Sequence, residues 1–258
     1  MPAPLPRRCL ALLAALVVWG AAAGQAKKPE NPNAPRVLLA APLGAAPGAM
    51  VRVTLRGLKL DQVTALRFHD AKIAAKVLRK GKSVLPQKNP AKVGDTELVA
   101  EVKIPAGTSG GSASFVAVSP AGESKPHGLL VETTLPVVAE KEPNNGFRQA
   151  QPIRVPQAVD GLIAQPKDVD VFRFEGKAGQ KVVCEVLAAR HGSELDSILT
   201  LYDAEGHEVA ANDDSGGSTD SRVEATLPKA GTYYLSLMDA HDQGGPAHVY
   251  RLLVRAGK

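Results

Sequence analysis

Two series of short strands follow from the alternation of apolar and polar positions. In MVRVTLRG, Val51, Val53 and Leu55 point one way and Arg52, Thr54 and Arg56 the other. In LVAEVKIP, Leu98, Ala100, Val102 and Ile104 alternate with Val99, Glu101 and Lys103, and ASFVAVSP and HGLLVE continue the series. A period of two, cut by Gly/Pro turns, marks half-buried antiparallel strands. The stretch Ile73 to Leu78 fits helix or strand. A connector, TTLPVVAEKEPNN, runs through residues 134–145, and a second series follows: VFRFEG, KVVCEVLA, ILTLYDAEG, RVEATLP, GTYYLSLMD and VYRLLVR. Asp203-Ala204-Glu205-Gly206 predicts a hairpin turn. In the last strand Tyr250, Leu252 and Val254 share the face opposite Arg251 and Arg255. No long amphipathic helix is legible in this half. The expected fold class is all-β, with two consecutive β-sandwiches rather than one large barrel.

Composition agrees: 24 Gly and 20 Pro in 258 residues, with 4% aromatics, favour many turns and short elements. The N-terminus adds a compartment. Arg7 and Arg8 precede an apolar run from Cys9 to Ala23, then small residues and Lys27-Lys28. A membrane span needs about 20 apolar residues, so the run reads as a cleaved signal peptide over 1–26. Pro29, Pro32 and Pro35 make 27–35 an extended linker. The expected location is therefore outside the cytoplasm, in the periplasm, at the cell surface or extracellular. No other apolar run is long enough to span a membrane. Cleavage removes Cys9 and leaves Cys184, so no intramolecular disulfide is expected. Val182, Cys184 and Val186 alternate, which places the thiol in a strand's buried face. Charge is uneven: residues 27–133 carry 16 Lys/Arg against 8 Asp/Glu, and 134–258 carry 13 against 18. The first half favours anionic partners and the second half cations.

Several motifs invite chemistry and do not sustain it. Gly107-Thr108-Ser109-Gly110-Gly111 matches G-x-S-x-G, but a nucleophile elbow needs a strand before and a helix after. Here strands are expected on both sides, so the motif reads as a turn. The six histidines (His69, His127, His191, His207, His241, His248) form no zinc-binding spacing, and read as loop histidines. Arg79, Lys80, Lys82, Lys88 and Lys92 form a basic run without aromatics, read as a solvated loop over 79–92. Asn212, Asp213, Asp214, Asp203 and Asp220 lack the spacing and helices of an EF-hand and read as turn residues capping strand ends.

The segment from about Glu140 to Val254 resembles the bacterial pre-peptidase C-terminal domain. The matching pieces are EKEPNNGFRQAQPI, GLIAQPKDVDVFRF, GSELDSILTLYDAEGHEVAANDD, DSRVEATLPKAGTYYL and YRLLV. The resemblance implies a jelly-roll-like sandwich over 134–258, of a kind usually appended to exported enzymes. The segment 36–133 is similar to IPT/TIG-type immunoglobulin-like domains, through PRVLLAAPLGAAPGAMVRVTLRG, ELVAEVKIPAGTSGG and FVAVSPAGES. The stretch KVLRKGKSVLPQKNPAKVGD has no counterpart in them. No peptidase segment precedes the second domain in this sequence. The expectation is thus a secreted, non-catalytic binding or adhesion protein recognising an extracellular protein or polysaccharide. The alternative is an accessory or targeting subunit for a separate exported peptidase or other hydrolase. Nucleic acid is not an expected partner.

The acidic start of the second half is the candidate metal site. Glu140, Glu142, Asn144 and Asn145 lie within six residues, and Asp168 and Asp170 follow in KDVDVF. Alternate residues of an extended segment share a face, so Glu140, Glu142 and Asn144 converge, as do Asp168 and Asp170. Calcium takes six to eight oxygen ligands of these kinds. Calcium-binding members of the resembled family use such an acidic segment with aspartates before a D-x-D-x-F strand. Asn145 stands where an aspartate is common, which lowers the ligand charge.

Overall fold

The computed structural model describes residues 31–83 and 89–257. The expected signal peptide, residues 27–30 of the 27–35 linker and Lys88 lie outside the described residues. Among the described residues the regular structure is almost all strand. The first series comprises β1 (Arg36–Ala41), β2 (Gly44–Ala45), β3 (Met50–Leu58), β4 (Ala65–Phe68), β5 (Ala74–Lys82), β6 (Thr96–Lys103), β7 (Gly111–Ser119), β8 (Gly122–Glu123) and β9 (His127–Val131). The second comprises β10 (Val137–Ala139), β11 (Gln151–Pro152), β12 (Gln157–Leu162), β13 (Val169–Gly176), β14 (Lys181–Leu187), β15 (Ser197–Tyr202), β16 (Glu208–Asn212), β17 (Arg222–Thr226), β18 (Gly231–Asp239) and β19 (Val249–Ala256).

Each series forms two sheets. In the first, β1-β3-β6-β5 faces β2-β9-β7-β4. The residues that alternation turns inward, among them Val53, Leu55, Leu98, Ala100, Val102 and Phe115, make one core. In the second, β10-β12-β19-β14-β17 faces β11-β13-β18-β15-β16. Its core holds Phe172, Phe174, Cys184, Leu199, Leu201, Leu235, Leu237, Tyr250 and Leu252. Cys184 is fully buried and desolvation pushes its thiol up to about 12, so it packs as an inert small apolar residue. Gly107–Gly110 lies between β6 and β7, Gly111 opens β7, and no helix follows Ser109.

A third cluster joins the sandwiches. Leu39 and Leu43 from the first pack with Val93 from the four-residue helix α1 (Pro90–Val93) against Ala247 and Val249 of the second. Gly192 abuts the backbone of Leu38 so closely that a Cβ there would overlap the Leu38 carbonyl, and its φ of +89° also favours glycine.

Three expectations need correction. The basic run at 79–82 is not a loop: Arg79, Lys80 and Lys82 lie on β5, an edge strand. The register shifts between Val77 and Arg79, so Leu78 bulges out, and this break in alternation hid the strand. Arg79 then pairs with Glu97 at 2.8 Å and Lys80 Nζ donates to the Val63 carbonyl at 3.0 Å. His248 is no exposed loop histidine but is buried. Arg251, on the side of β19 away from the core, is only 1% exposed. That side is covered by the first sandwich and by Leu135, which packs with Ala158 and Leu253. There Arg251 makes a two-point pair with Asp160, Nε to Oδ1 at 2.6 Å and Nη2 to Oδ2 at 2.8 Å.

Candidate metal centre

The site forms where the connector enters the second sandwich. β10 pairs parallel with β12, and the backbone N–H of Glu140 donates to the Asp160 carbonyl. From there the chain crosses the start of β13, where the N–H of Val171 donates to the Asn144 carbonyl at 2.9 Å. These two backbone anchors bring residues 140–144 against Asp170. On β13, Asp170 has the same parity as Phe172 and Phe174, so it faces inward at the end of the core.

Carboxylate oxygens of Glu140, Glu142 and Asp170 lie within 4.8 Å of one another. Asp170 is fully buried, and its Oδ2 accepts the Tyr250 hydroxyl hydrogen at 2.7 Å. Its Oδ1 is buried with no hydrogen-bond partner. Asn144, also fully buried, donates Nδ2 to Glu140 Oε1 at 2.9 Å, and its Oδ1 too has no partner. Two orphaned buried oxygens beside two further carboxylates are costly unless a cation or a retained proton serves them. Burial, then the facing Glu140, hold the Asp170 carboxyl well above the usual carboxylate range, while the Tyr250 hydrogen bond works the other way. The surrounding bonds fix the acceptors: Leu162 N–H donates to Glu140 Oε2 at 2.8 Å and Asn144 N–H to Glu142 Oε2 at 2.9 Å. A Cβ at Gly161 would run into both the Tyr250 ring and Glu140 Oε2, so a glycine there lets the two close on the site.

The six residues singled out from the sequence do not play one part. Glu140, Glu142, Asn144 and Asp170 converge. Asp168 lies one layer out, with Oδ2 taking the Ala164 N–H at 2.7 Å and Oδ1 taking Asn145 Nδ2 at 3.1 Å. The Asp168–Asn145 pair therefore clamps the loop that carries Glu142 and Asn144. Sequence reasoning missed Tyr250, although a tyrosine placed inward by alternation needs a polar partner for its hydroxyl. It also missed Phe147. That ring stacks on Tyr234 at 4.4 Å between centroids and 8° between planes, with Tyr202 at 5.4 Å, and so pins the same loop to the outer face of β18 and β15.

A second acidic group, Asp203, Glu205 and His207, occupies the β15–β16 hairpin. Lys229 Nζ contacts both Asp203 and Glu205. Burial opposes ionisation of Asp203, but the His207 N–H and Lys229 outweigh it and bring the carboxyl down to about 2. This group already has its cation. Asp220 accepts the N–H groups of Ala188 and Ala189 and Arg190 Nε at 2.5 Å, and Asn212 Oδ1 accepts the Arg222 N–H; both order turns.

The fold and the site define a β-sandwich protein with a cluster of side-chain oxygens at the entrance to its second sandwich. Residues 168–237, within the second sandwich, match the family described as Bacterial pre-peptidase C-terminal domain. The matched span begins at Asp168, so the acidic connector precedes it. A probable subtilase-type serine protease of Deinococcus radiodurans is 40% identical over 99 residues, which cover 37% of this chain. The chain spans 14% of that relative's length. Among solved structures, the pre-peptidase C-terminal domain of a Bacillus anthracis collagenase is 20% identical, covering 43% of this chain and 100% of that one at a TM-score of 0.35. The Bacteroides ovatus glucan-locus protein SGBP-B, solved with a mixed-linkage heptasaccharide, is 11% identical, covering 87% and 74% at a TM-score of 0.27. Among the described residues no helix is long and apolar enough to cross a membrane.

Proposed function

We propose that this is a secreted, non-catalytic binding protein whose second sandwich is stabilised by calcium and holds an extracellular protein or polysaccharide. The observation that supports recognition is the outer face of the β13-β18-β15 sheet. Ile198, Tyr202, Tyr234 and Met238 stand on it half-buried, and Phe147 lies over it 37% exposed. Apolar and aromatic surface of this kind, here beside the exposed Arg173 of β13, marks an interaction site. Calcium is supported by the orphaned oxygens of Asp170 and Asn144 beside Glu140 and Glu142. Bound there, the ion would supply positive charge to three carboxylates and an amide oxygen and tie the connector to β13.

Cosedimentation with insoluble collagen-like protein and with insoluble polysaccharides tests recognition. Binding to one of them, lost in an Ile198→Glu, Met238→Glu double variant, is the expected result. Binding to none, or binding that ignores these changes, overturns the reading. Calcium should raise the melting temperature of the protein by mass action, and Glu142→Ala with Asp170→Asn should abolish the rise. Identical melting curves in millimolar calcium and excess chelator remove the site.

The second reading is an accessory or targeting part for an exported hydrolase, favoured by the 99-residue match within a subtilase-type protease. A defined enzyme recovered with the full chain from the exterior fraction would support it.

A further inference from the structure

Asn145 is followed by Gly146, and nothing in the fold asks for a glycine there. The φ of Gly146 is not in the left-handed range, and a Cβ would meet no atom within 4 Å. What glycine does supply is an unshielded backbone nitrogen next to an exposed asparagine side chain. We propose that Asn145 is a spontaneous deamidation site, and that its aspartate product makes the second sandwich more dependent on a divalent cation. The second half of this proposal rests on the calcium reading; the first does not.

The reaction needs only water. The Gly146 nitrogen gives up its proton to solvent base and bonds to Asn145 Cγ. The bond from Cγ to Nδ2 breaks, and ammonia leaves. Water then adds to one carbonyl of the resulting five-membered imide and breaks one of its two ring C–N bonds. Opening at one carbonyl gives aspartate; opening at the other gives isoaspartate, with an extra backbone atom. The net change is amide plus water to acid plus ammonia.

The structure says what restrains this step. Asn145 Nδ2 donates to Asp168 Oδ1 at 3.1 Å, and Asn145 Oδ1 accepts the Asn144 N–H at 3.2 Å. The Gly146 N–H itself donates to the Asn144 carbonyl at 2.9 Å. Nucleophile and electrophile are thus each held by other partners, and attack proceeds from local openings of the loop. Whatever loosens the loop speeds the reaction. The same contacts give the product its effect. Replacing the Asn145 amide by a carboxylate turns a donor facing Asp168 Oδ1 into a second anion at hydrogen-bond range. Without a cation that pair repels; with one nearby it adds an oxygen of the kind calcium takes.

The test is to age the full chain at mildly alkaline pH, in calcium or in chelator, and follow the peptide containing residue 145 by mass. A mass gain of amide to acid is expected, faster in chelator and faster in Asp168→Ala. It should be several-fold slower in Gly146→Ala, which the open space tolerates. No gain in the wild type, over a time in which an unstructured peptide of the same sequence converts, overturns the modification. Asn145→Asp supplies the aspartate product alone. It should melt lower than wild type in chelator and show a larger calcium-induced rise. Equal rises overturn the consequence. A mass gain in a protein whose melting ignores calcium in both forms overturns the calcium reading and leaves the modification standing.

Discussion

Tyr250 donates its hydroxyl hydrogen to Asp170 Oδ2 at 2.7 Å across the end of the second core, while the other oxygen of the same carboxylate has no donor. A tyrosine and an aspartate are both normally exposed enough to find water. Here each is almost wholly buried, and each is the other's polar partner. Tyr250→Phe would leave both Asp170 oxygens unserved. We expect it to lower stability by about 1–3 kcal/mol, the usual cost of a stranded buried acceptor, measured by urea denaturation in chelator. An unchanged midpoint would mean that Asp170 has another partner.

Arg251 and Asp160 should behave as a unit. Removing one member of a buried pair commonly costs about 3–5 kcal/mol, because the survivor is left charged and unpaired. Asp160 keeps 16% side-chain exposure, which places Arg251→Met toward the lower end of that range. Adding Asp160→Val should restore part of the loss. Calorimetry of the two single variants and the double measures the coupling.

Phe147 holds the loop of the candidate metal site without touching its oxygens. Its stacking on Tyr234 contributes about 0.5–1.5 kcal/mol beyond area burial. In Phe147→Ala the loop carrying Glu142 and Asn144 loses this anchor. The expected result is a smaller calcium-induced rise in melting temperature at a given calcium concentration. A rise equal to wild type would show that the loop is held by its backbone bonds alone.

Acid should weaken the protein through two histidines on different sandwiches. His127 begins β9, its ring edge-on to Phe115 at 5.7 Å; His191 lies in the 3-10 turn beside Gly192. Burial lowers both. His191 further lowers His127, while around His191 Asp220 works upward and Arg190 and Arg251 work downward. A depressed folded value means the unfolded chain takes protons more readily. The contribution is therefore intact above the unfolded value of about 6.5 and lost as pH falls below it through the folded values. His127→Gln with His191→Gln should flatten the stability profile between roughly pH 7 and 5. A wild-type profile already flat there would contradict the assignment.

Pieces covering 36–133 and 134–258 should each unfold cooperatively, since each holds a complete core. Both should melt below the intact chain, because the cut exposes Leu39, Leu43 and Val93 on one side and Ala247 and Val249 on the other. Loss of cooperativity in either piece would show that the sandwiches are one folding unit.

Alternation reached the fold class and the burial of Cys184, and turn residues reached the hairpin at Asp203–Gly206, because each depends on local pattern. It failed where the pattern was broken or where a face was covered from elsewhere. The bulge at Leu78 disguised β5. The outward side of β19 reads as solvent-facing, and only the docking of the first sandwich and Leu135 makes Arg251 buried. Face-sharing of alternate residues singled out Glu140, Glu142 and Asn144 and, equally, Asp168 and Asp170; of the six residues named, four come together. That Asp168 and Asn145 clamp rather than converge depends on the Ala164 N–H, whose position no spacing rule predicts. The aromatic pin at Phe147 depends in the same way on where a loop crosses a sheet.

The position of β19 carries a consequence for how the chain is made. It is the middle strand of its sheet, bonded to β12 on one side and β14 on the other. Until residues 249–256 have left the ribosome, their two neighbours have no common partner, Asp160 has no arginine and Asp170 has no tyrosine. The contacts that close the second sandwich span up to 91 positions of sequence, and pairings so distant form slowly. The nascent second sandwich therefore stays open through most of its synthesis.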